Sequence, residues 1–175
     1  MKEAFGDIWD TYYKSWVPSY PITGIRYDAV VITTNGFVKK NGALVMGRGI
    51  ALQAKQRFPG LDFEIGDMVK NYGNHVFSVY RPYATLLTMP VKPEYGINGQ
   101  PGWKVRADLS LIEQSASELV SLIENFNRFS LIPFSYILMP RPGCGNGGLK
   151  WENVKPIIEP ILDDKFTVMT YPNSP

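Results

Sequence analysis

The chain is 175 residues long, 45% hydrophobic and 19% charged, with a formal net charge of +2. That size predicts one globular domain over residues 1–175, and the mild charge argues against a surface made for nonspecific DNA or RNA binding. Cys144 is the sole cysteine and His75 the sole histidine, which excludes an intrachain disulfide and a cysteine and histidine zinc site, so no metal is expected. With no apolar leader and no run long enough to span a bilayer, the expected setting is cytoplasmic and away from membranes.

In chain order, Ala4 to Trp9 suits a short strand. Tyr12, Tyr13, Trp16, Pro18, Tyr20 and Pro21 then form an aromatic and proline-rich excursion in which the prolines argue against helix. Tyr27 to Thr34 is an unbroken β-branched run of the kind buried on both faces of a parallel sheet, ending at Asn35-Gly36. Asn41 to Gly49 is glycine-punctuated, and Ile50 to Phe58 is helical by propensity and stopped by Pro59-Gly60. Leu61 to Tyr72 suits a helix, followed by strands at Val76 to Tyr80 and Ala84 to Met89 and then by Pro90-Val91-Lys92-Pro93.

Glu94 to Gly102 is dominated by glycine, asparagine and proline and suggests an exposed loop, a candidate lid. Ala107 to Phe129 carries Leu109, Ile112, Leu119, Leu122, Ile123 and Phe126 at helical spacing. Phe134 to Met139 is a buried strand, Trp151 to Leu162 a helix, and Phe166 to Tyr171 a closing strand. Strands alternating with helices predict an α/β fold of three layers, a mostly parallel sheet with helices on both faces. Ligands of such sheets sit at the carboxyl ends of the strands, where both glycine-rich segments fall.

The denser of those segments is Met139-Pro140-Arg141-Pro142-Gly143-Cys144-Gly145-Asn146-Gly147-Gly148-Leu149-Lys150-Trp151. Glycine lets backbone N–H groups approach a ligand, and the following helix start adds its own unpaired N–H groups, so the loop serves either as a phosphate cradle or as a tight connection. Together with Asn41 to Ile50 it could embrace a diphosphate. Neither segment ends in Gly-Lys-Ser/Thr or matches the dinucleotide fingerprint, which disfavours ATP hydrolysis and hydride transfer.

Asn41-Gly42-Ala43-Leu44-Val45-Met46-Gly47-Arg48-Gly49-Ile50-Ala51 and the run from Met139 through Val154 resemble the macrodomain family. Within it they are most similar to the branch of the terminal ADP-ribose glycohydrolases and of the antitoxin that removes ADP-ribose from DNA. The resemblance implies a three-layer α/β/α macrodomain with a mixed, mostly parallel sheet. Its expected ligand is ADP-ribose or an ADP-ribosylated macromolecule, ADP-ribosylated DNA among the possibilities, with no cofactor.

The same resemblance implies roles. Asp7, in Phe5-Gly6-Asp7-Ile8, would read the adenine amine, a task suited to an acceptor-only carboxylate, with Ile8 beside it. Asn35 would reach the distal ribose or merely form a turn with Gly36. Gly47, Arg48, Gly49 and Ile50 would line one side of the diphosphate, and Gly143, Cys144, Gly145, Asn146, Gly147, Gly148 and Leu149 the other. Cys144 is expected as a packed thiol, Tyr171 against adenine, and Trp103 and Arg106 match the branch's Trp-Arg.

Lys92, in Pro90-Val91-Lys92, stands where the branch places a lysine that acts on the anomeric carbon of the distal ribose. An amine there forms a Schiff base with the opened sugar if burial or a neighbouring cation leaves a neutral fraction. Gly147 stands where the eukaryotic relatives keep an acid, so the loop supplies no carboxylate. The alternatives are a non-catalytic ADP-ribose reader and a phosphatase acting on ADP-ribose 1''-phosphate. The latter needs a histidine and aspartate pair that the lysine segment lacks.

Overall fold

The computed structural model describes residues 1–17 and 25–171. Its centre is the β-branched strand β2 (Ala29–Asn35), whose residues alternate between two separate cores. Ala29 and Val31 join one, Val30 and Ile32 the other, all fully buried. Full burial of each aliphatic side chain contributes about 1.5–3 kcal/mol, so neither face of this strand tolerates solvent.

The remaining elements are β1 (Lys2–Phe5), α1 (Ile8–Lys14), α2 (Gly49–Arg57), α3 (Leu61–Tyr72), β3 (Ser78–Arg81), β4 (Ala84–Lys92), α4 (Leu109–Phe129), β5 (Ile137–Pro140), α5 (Trp151–Ile158) and β6 (Phe166–Thr170). The six strands run in the order β1-β6-β5-β2-β4-β3, all parallel except the edge strand β3, which returns antiparallel on β4. Ile112, Leu119 and Ile123 of α4 with Val154 and Ile158 of α5 close one face. Trp9 and Tyr12 of α1, Ala54 of α2 and Leu61 and Ile65 of α3 close the other. This is the expected three-layer arrangement with a mixed, mostly parallel sheet.

Two expectations are corrected. The first strand stops at Phe5, and Asp7 caps a helix by accepting the Asp10 N–H at 2.8 Å. Ile8, Trp9 and Tyr12 then supply the buried face, so the aromatic run is partly helical and ends before the prolines. Tyr20, Pro18 and Pro21 lie outside the described residues. Second, β4 does not end at Met89 but runs through Pro90 to Lys92. A proline is tolerated there because β3 pairs no further than Leu87 and the register with β2 slips between Thr34 and Asn35, where no regular ladder bond is required. That slip sets Lys92 opposite Asn35.

No helix among the described residues is long and apolar enough to cross a membrane.

Candidate functional site

Because five strands are parallel, their carboxyl ends share one edge of the sheet. A cleft of about 1580 Å³ opens there, reached by Gly6 after β1, Thr34 and Asn35 of β2, Val91 and Lys92 of β4, Pro140 and Arg141 at β5, and Thr170 and Tyr171 at β6. Gly47 through Ala51 form one wall and Gly143 through Gly148 another.

The second wall is anchored from behind. The carbonyl of Asn146 accepts from Lys92 Nζ at 3.0 Å, that of Gly147 from the Ala107 N–H at 2.9 Å, and that of Gly148 from Arg106 Nε at 3.1 Å. Three successive carbonyls are thus occupied, while the N–H groups of Gly145 and Asn146 find no acceptor among the described residues. Gly143 holds a φ of +72°, and a Cβ there would lie 2.6 Å from Ile112 Cδ1 and 2.8 Å from Leu149 Cδ1. Leu149 therefore packs beneath the loop against the core and is not in the cleft wall, contrary to its expected place.

The first wall is the start of α2. Asp7 and Asp108 cap α1 and α4 through their carboxylates, whereas α2 has Arg48 at its cap position and no side-chain cap bond. Its first-turn N–H groups stay open toward the cleft, with the positive end of the helix dipole behind them. The walls converge: a Cβ at Gly49 would sit 3.4 Å from the Asn146 amide nitrogen.

The charge of the cleft departs sharply from that of the whole chain. Lys39, Arg48, Lys55, Lys92, Lys104, Arg106 and Arg141 line it, and no aspartate, glutamate or histidine does among the described residues. Asp62 neutralises Lys55 at 2.6 Å and Glu3 lies 3.7 Å from Arg141. The other five cations have no acidic partner among the described residues, so the cleft is made for an anion.

Lys92 sits at the junction of the two walls. Its ammonium donates to the Asn146 carbonyl and, at 3.4 Å, to the carbonyl of Trp103, at the 3₁₀ turn Gly102–Lys104. Burial, reinforced by the nearby Arg48 charge, holds it below the ordinary lysine value despite these acceptors. The Lys92 carbonyl is fixed in turn by the Gly36 N–H at 3.2 Å and the Asn74 amide at 3.0 Å.

Other expected site residues fall as follows. Ile8 and Tyr171 line the cleft, as do Gly47, Arg48, Gly49, Ile50, Gly143, Cys144, Gly145, Asn146, Gly147 and Gly148. Burial pushes the Cys144 thiol upward, so it is a neutral packing group. Asn35 lines the cleft too, but its amide donates to the Val45 carbonyl at 2.7 Å and its side-chain oxygen accepts the Phe37 N–H at 3.0 Å, which makes it the pin of the first wall. Asp7 flanks the cleft without lining it: one carboxylate oxygen caps α1. His75 pairs with Glu118 at 2.9 Å away from the cleft lining.

The expected lid is a pinned hairpin at the rim. Tyr95 bridges to Pro101, the Gly102 N–H donates to the Glu94 carbonyl at 2.7 Å, and Tyr95 packs edge-on against Phe37. A Cβ at Gly102 would fall 1.6 Å from the Pro93 carbonyl oxygen, so only glycine permits this closure. Of its residues up to Pro101, Gln100 alone lines the cleft.

Sequence reasoning passed over Lys39, Lys104, Gln53 and Arg141 as cleft residues. Arg141 follows β5 directly, and its place at a parallel strand's carboxyl end was the available signal. Nothing in the sequence marks Lys39 or Lys104.

No protein-family model matches the chain. The macrodomain of Mycobacterium tuberculosis DarG superposes with a TM-score of 0.62 at 27% identity, over 85% of this chain and 90% of that one. The macrodomain of Thermus aquaticus DarG gives 0.64 at 23% identity, over 97% and 96%. The chain has the macrodomain fold. Thermosipho africanus DarTG in complex with ADP-ribose shares the fold with a TM-score of 0.66 at 18% identity, over 99% of this chain and 42% of that one. Curated relatives named DNA ADP-ribosyl glycohydrolase, from Mycobacterium tuberculosis and Thermus aquaticus, are 29% identical over 113 and 128 residues. These matches cover 63% and 68% of this chain but only 30% and 31% of the relatives' own length. The similarity thus falls on the branch that the two glycine-rich segments resemble.

Proposed function

We propose that this macrodomain, residues 1–175 as one domain in a cytoplasmic setting, binds ADP-ribose in the strand-end cleft and hydrolyses an ADP-ribosyl bond to a protein or a nucleic-acid base. The open N–H groups of the two walls and the surrounding cations take the diphosphate, Ile8 and Tyr171 border the adenine with Asp7 near its amine, and Lys92 acts at the distal ribose. The observation that carries the reading is Lys92 itself, an amine of lowered pKa between both walls in a cleft without acids.

The chemistry that fits is nucleophilic. Neutral Nζ adds to C1'' as the bond to the carrier breaks, the carrier atom leaving with a proton. The ring-opened adduct is a protonated Schiff base, water adds at C1'', and departure of the amine restores Lys92 and frees ADP-ribose. No metal enters this scheme, and no cluster of metal-ligating side chains occurs among the described residues.

One observation favours a non-catalytic reader instead, namely that both Lys92 hydrogen bonds are spent on backbone carbonyls. The phosphatase reading has no such support, since His75 is bound to Glu118 outside the cleft lining. Release of ADP-ribose from modified DNA and modified protein by wild type and Lys92→Ala separates the two. The proposal expects at least a hundredfold loss in the variant, in the range of a positioned catalytic group. Equal release by both removes Lys92 from the mechanism, and no release by either, with calorimetric binding of ADP-ribose intact, establishes the reader.

A further inference from the structure

Lys92 stands on an irregular piece of strand. Strands β2 and β4 pair residue against residue as far as Thr34 and Pro90, but Asn35 then lies opposite Lys92, which leaves Val91 with no residue across from it. An extra residue of this kind breaks the ladder and re-aims the side chains that follow. The carbonyls of the break are held instead by groups from outside the two strands. Ser115 of α4, 1% exposed, donates its hydroxyl to the Pro90 carbonyl at 2.7 Å, and the Asp108 N–H donates to that of Val91 at 3.0 Å. The Asn74 amide joins the Gly36 N–H on the carbonyl of Lys92 itself.

Asn74 is rigidly mounted for that task. Before it, Gly73 ends α3 with a φ of +91°, and the His75 N–H donates to the Gly73 carbonyl at 3.0 Å. After it, Glu118 of α4 meets His75 Nδ1 with one oxygen at 2.9 Å and accepts the Val76 N–H with the other at 3.1 Å. The carboxamide packs directly on Gly36, where a Cβ would fall 2.8 Å from Asn74 Cγ. Its oxygen, however, is buried and finds no donor among the described residues. A buried acceptor left unsatisfied costs at least as much as one hydrogen bond returns, so Asn74 adds little to the stability of the fold. It does not line the cleft either, and so meets no ligand there.

We infer that Asn74 is a positioning residue for Lys92: by gripping the Lys92 carbonyl at the strand break, with Ser115 gripping that of Pro90, it aims the amine at the junction of the two walls. The inference rests on the proposed hydrolysis for its effect on turnover, but the placement of the amine is read without it. With the grip released, the end of β4 is free to turn. The amine then leaves the Asn146 carbonyl and the buried position beside Arg48 that lowers its pKa.

Wild type, Asn74→Ala and Ser115→Ala are pulse-labelled with acetic anhydride across a pH series, and acetylation of Lys92 is quantified by mass spectrometry. The ionisable neighbours of the loop, His75 and Glu118, are present in every variant, so only differences between profiles are read. In Asn74→Ala the Lys92 labelling midpoint should rise by about half a pH unit or more, toward the ordinary lysine value. On ADP-ribosylated substrate, kcat should fall about tenfold and its pH profile should move with the midpoint. KM and the calorimetric affinity for ADP-ribose should stay within about twofold of wild type. Ser115→Ala should shift both profiles the same way by less.

An unmoved Lys92 midpoint in Asn74→Ala, or a fall in kcat matched by an equal loss of ADP-ribose affinity, overturns the inference. Should Asn74→Ala fail to fold, the Ser115→Ala midpoint decides in the same way. If wild type releases no ADP-ribose while the midpoint still moves, the hydrolysis reading falls and the positioning of Lys92 by Asn74 stands.

Discussion

The two walls of the cleft are both rich in glycine, yet they are built on different principles. The loop of residues 143–149 is braced from outside, with its carbonyls tied to Lys92, Arg106 and Ala107 and its Gly143 seated on Ile112 and Leu149. The segment of residues 47–50 is held only at its ends, by Asn35 on the Val45 carbonyl and the Val45 N–H on the Phe37 carbonyl before it and by the helix after it; a Cβ at Gly47 would meet nothing within 4 Å. One wall is a rigid cradle whose open N–H groups are set before a ligand arrives. The other is an exposed arm carrying Arg48, whose charge adds to the effect of burial in lowering the Lys92 pKa. Glycine is thus a steric necessity in the Gly143–Gly148 wall and an opening for the ligand in the Gly47–Ala51 wall.

Substitutions that treat the walls alike should break them unequally. The largest effect is expected from Gly143→Ala, which combines a left-handed backbone with overpacking against α4 and should destabilise the fold by about 2–4 kcal/mol in chemical denaturation. A loss under about 0.5 kcal/mol would show that the Gly143–Gly148 wall is not rigid.

Arg48→Ala comes next. ADP-ribose affinity should fall about tenfold, the size of one charge-assisted bond, as read by calorimetry. The same variant removes a positive charge near Lys92, so the amine's pKa should rise toward its ordinary value. Since the reaction needs the neutral amine, hydrolysis by wild type should increase with pH through the lowered Lys92 pKa, and the Arg48→Ala profile should move to higher pH. A profile that stays in place would remove Arg48 from the electrostatics of the site.

Gly47→Ala should be the mildest, with stability unchanged within about 0.5 kcal/mol because the space is open and φ is ordinary. ADP-ribose affinity should still drop by a few fold if the ligand passes close over this backbone. Stability lost with affinity unchanged would reverse the comparison.

Much of the fold was legible from local pattern. Leu61 to Tyr72 was expected as a helix and α3 spans Leu61–Tyr72, while α4 and the double-faced burial of β2 follow from their periods. The misreadings share a cause. Ala4 to Trp9 divides between strand and helix because Asp7 is a cap, a role that its neighbours in sequence do not announce. Pro90 stays inside β4 because a register slip and the end of β3 remove the bond that a proline would forfeit. Neither fact is local.

In the site, both glycine segments and Lys92 could be read from residues alone, by resemblance. The sequence also settled the chemistry these groups lack, since one cysteine, one histidine and no acid in the loop hold in any fold. Only the tertiary structure decided how the groups act on one another. Parallel pairing brought five strand ends together, and with them gathered seven cations into one cleft of a chain whose net charge is +2. It set Arg48 near Lys92 across more than forty residues of chain, turned Leu149 inward, and brought the Trp103 carbonyl to the Lys92 amine. Charge and hydrogen bonding depend on separation in space, and periodicity along the chain reports only on neighbours within a turn or a strand.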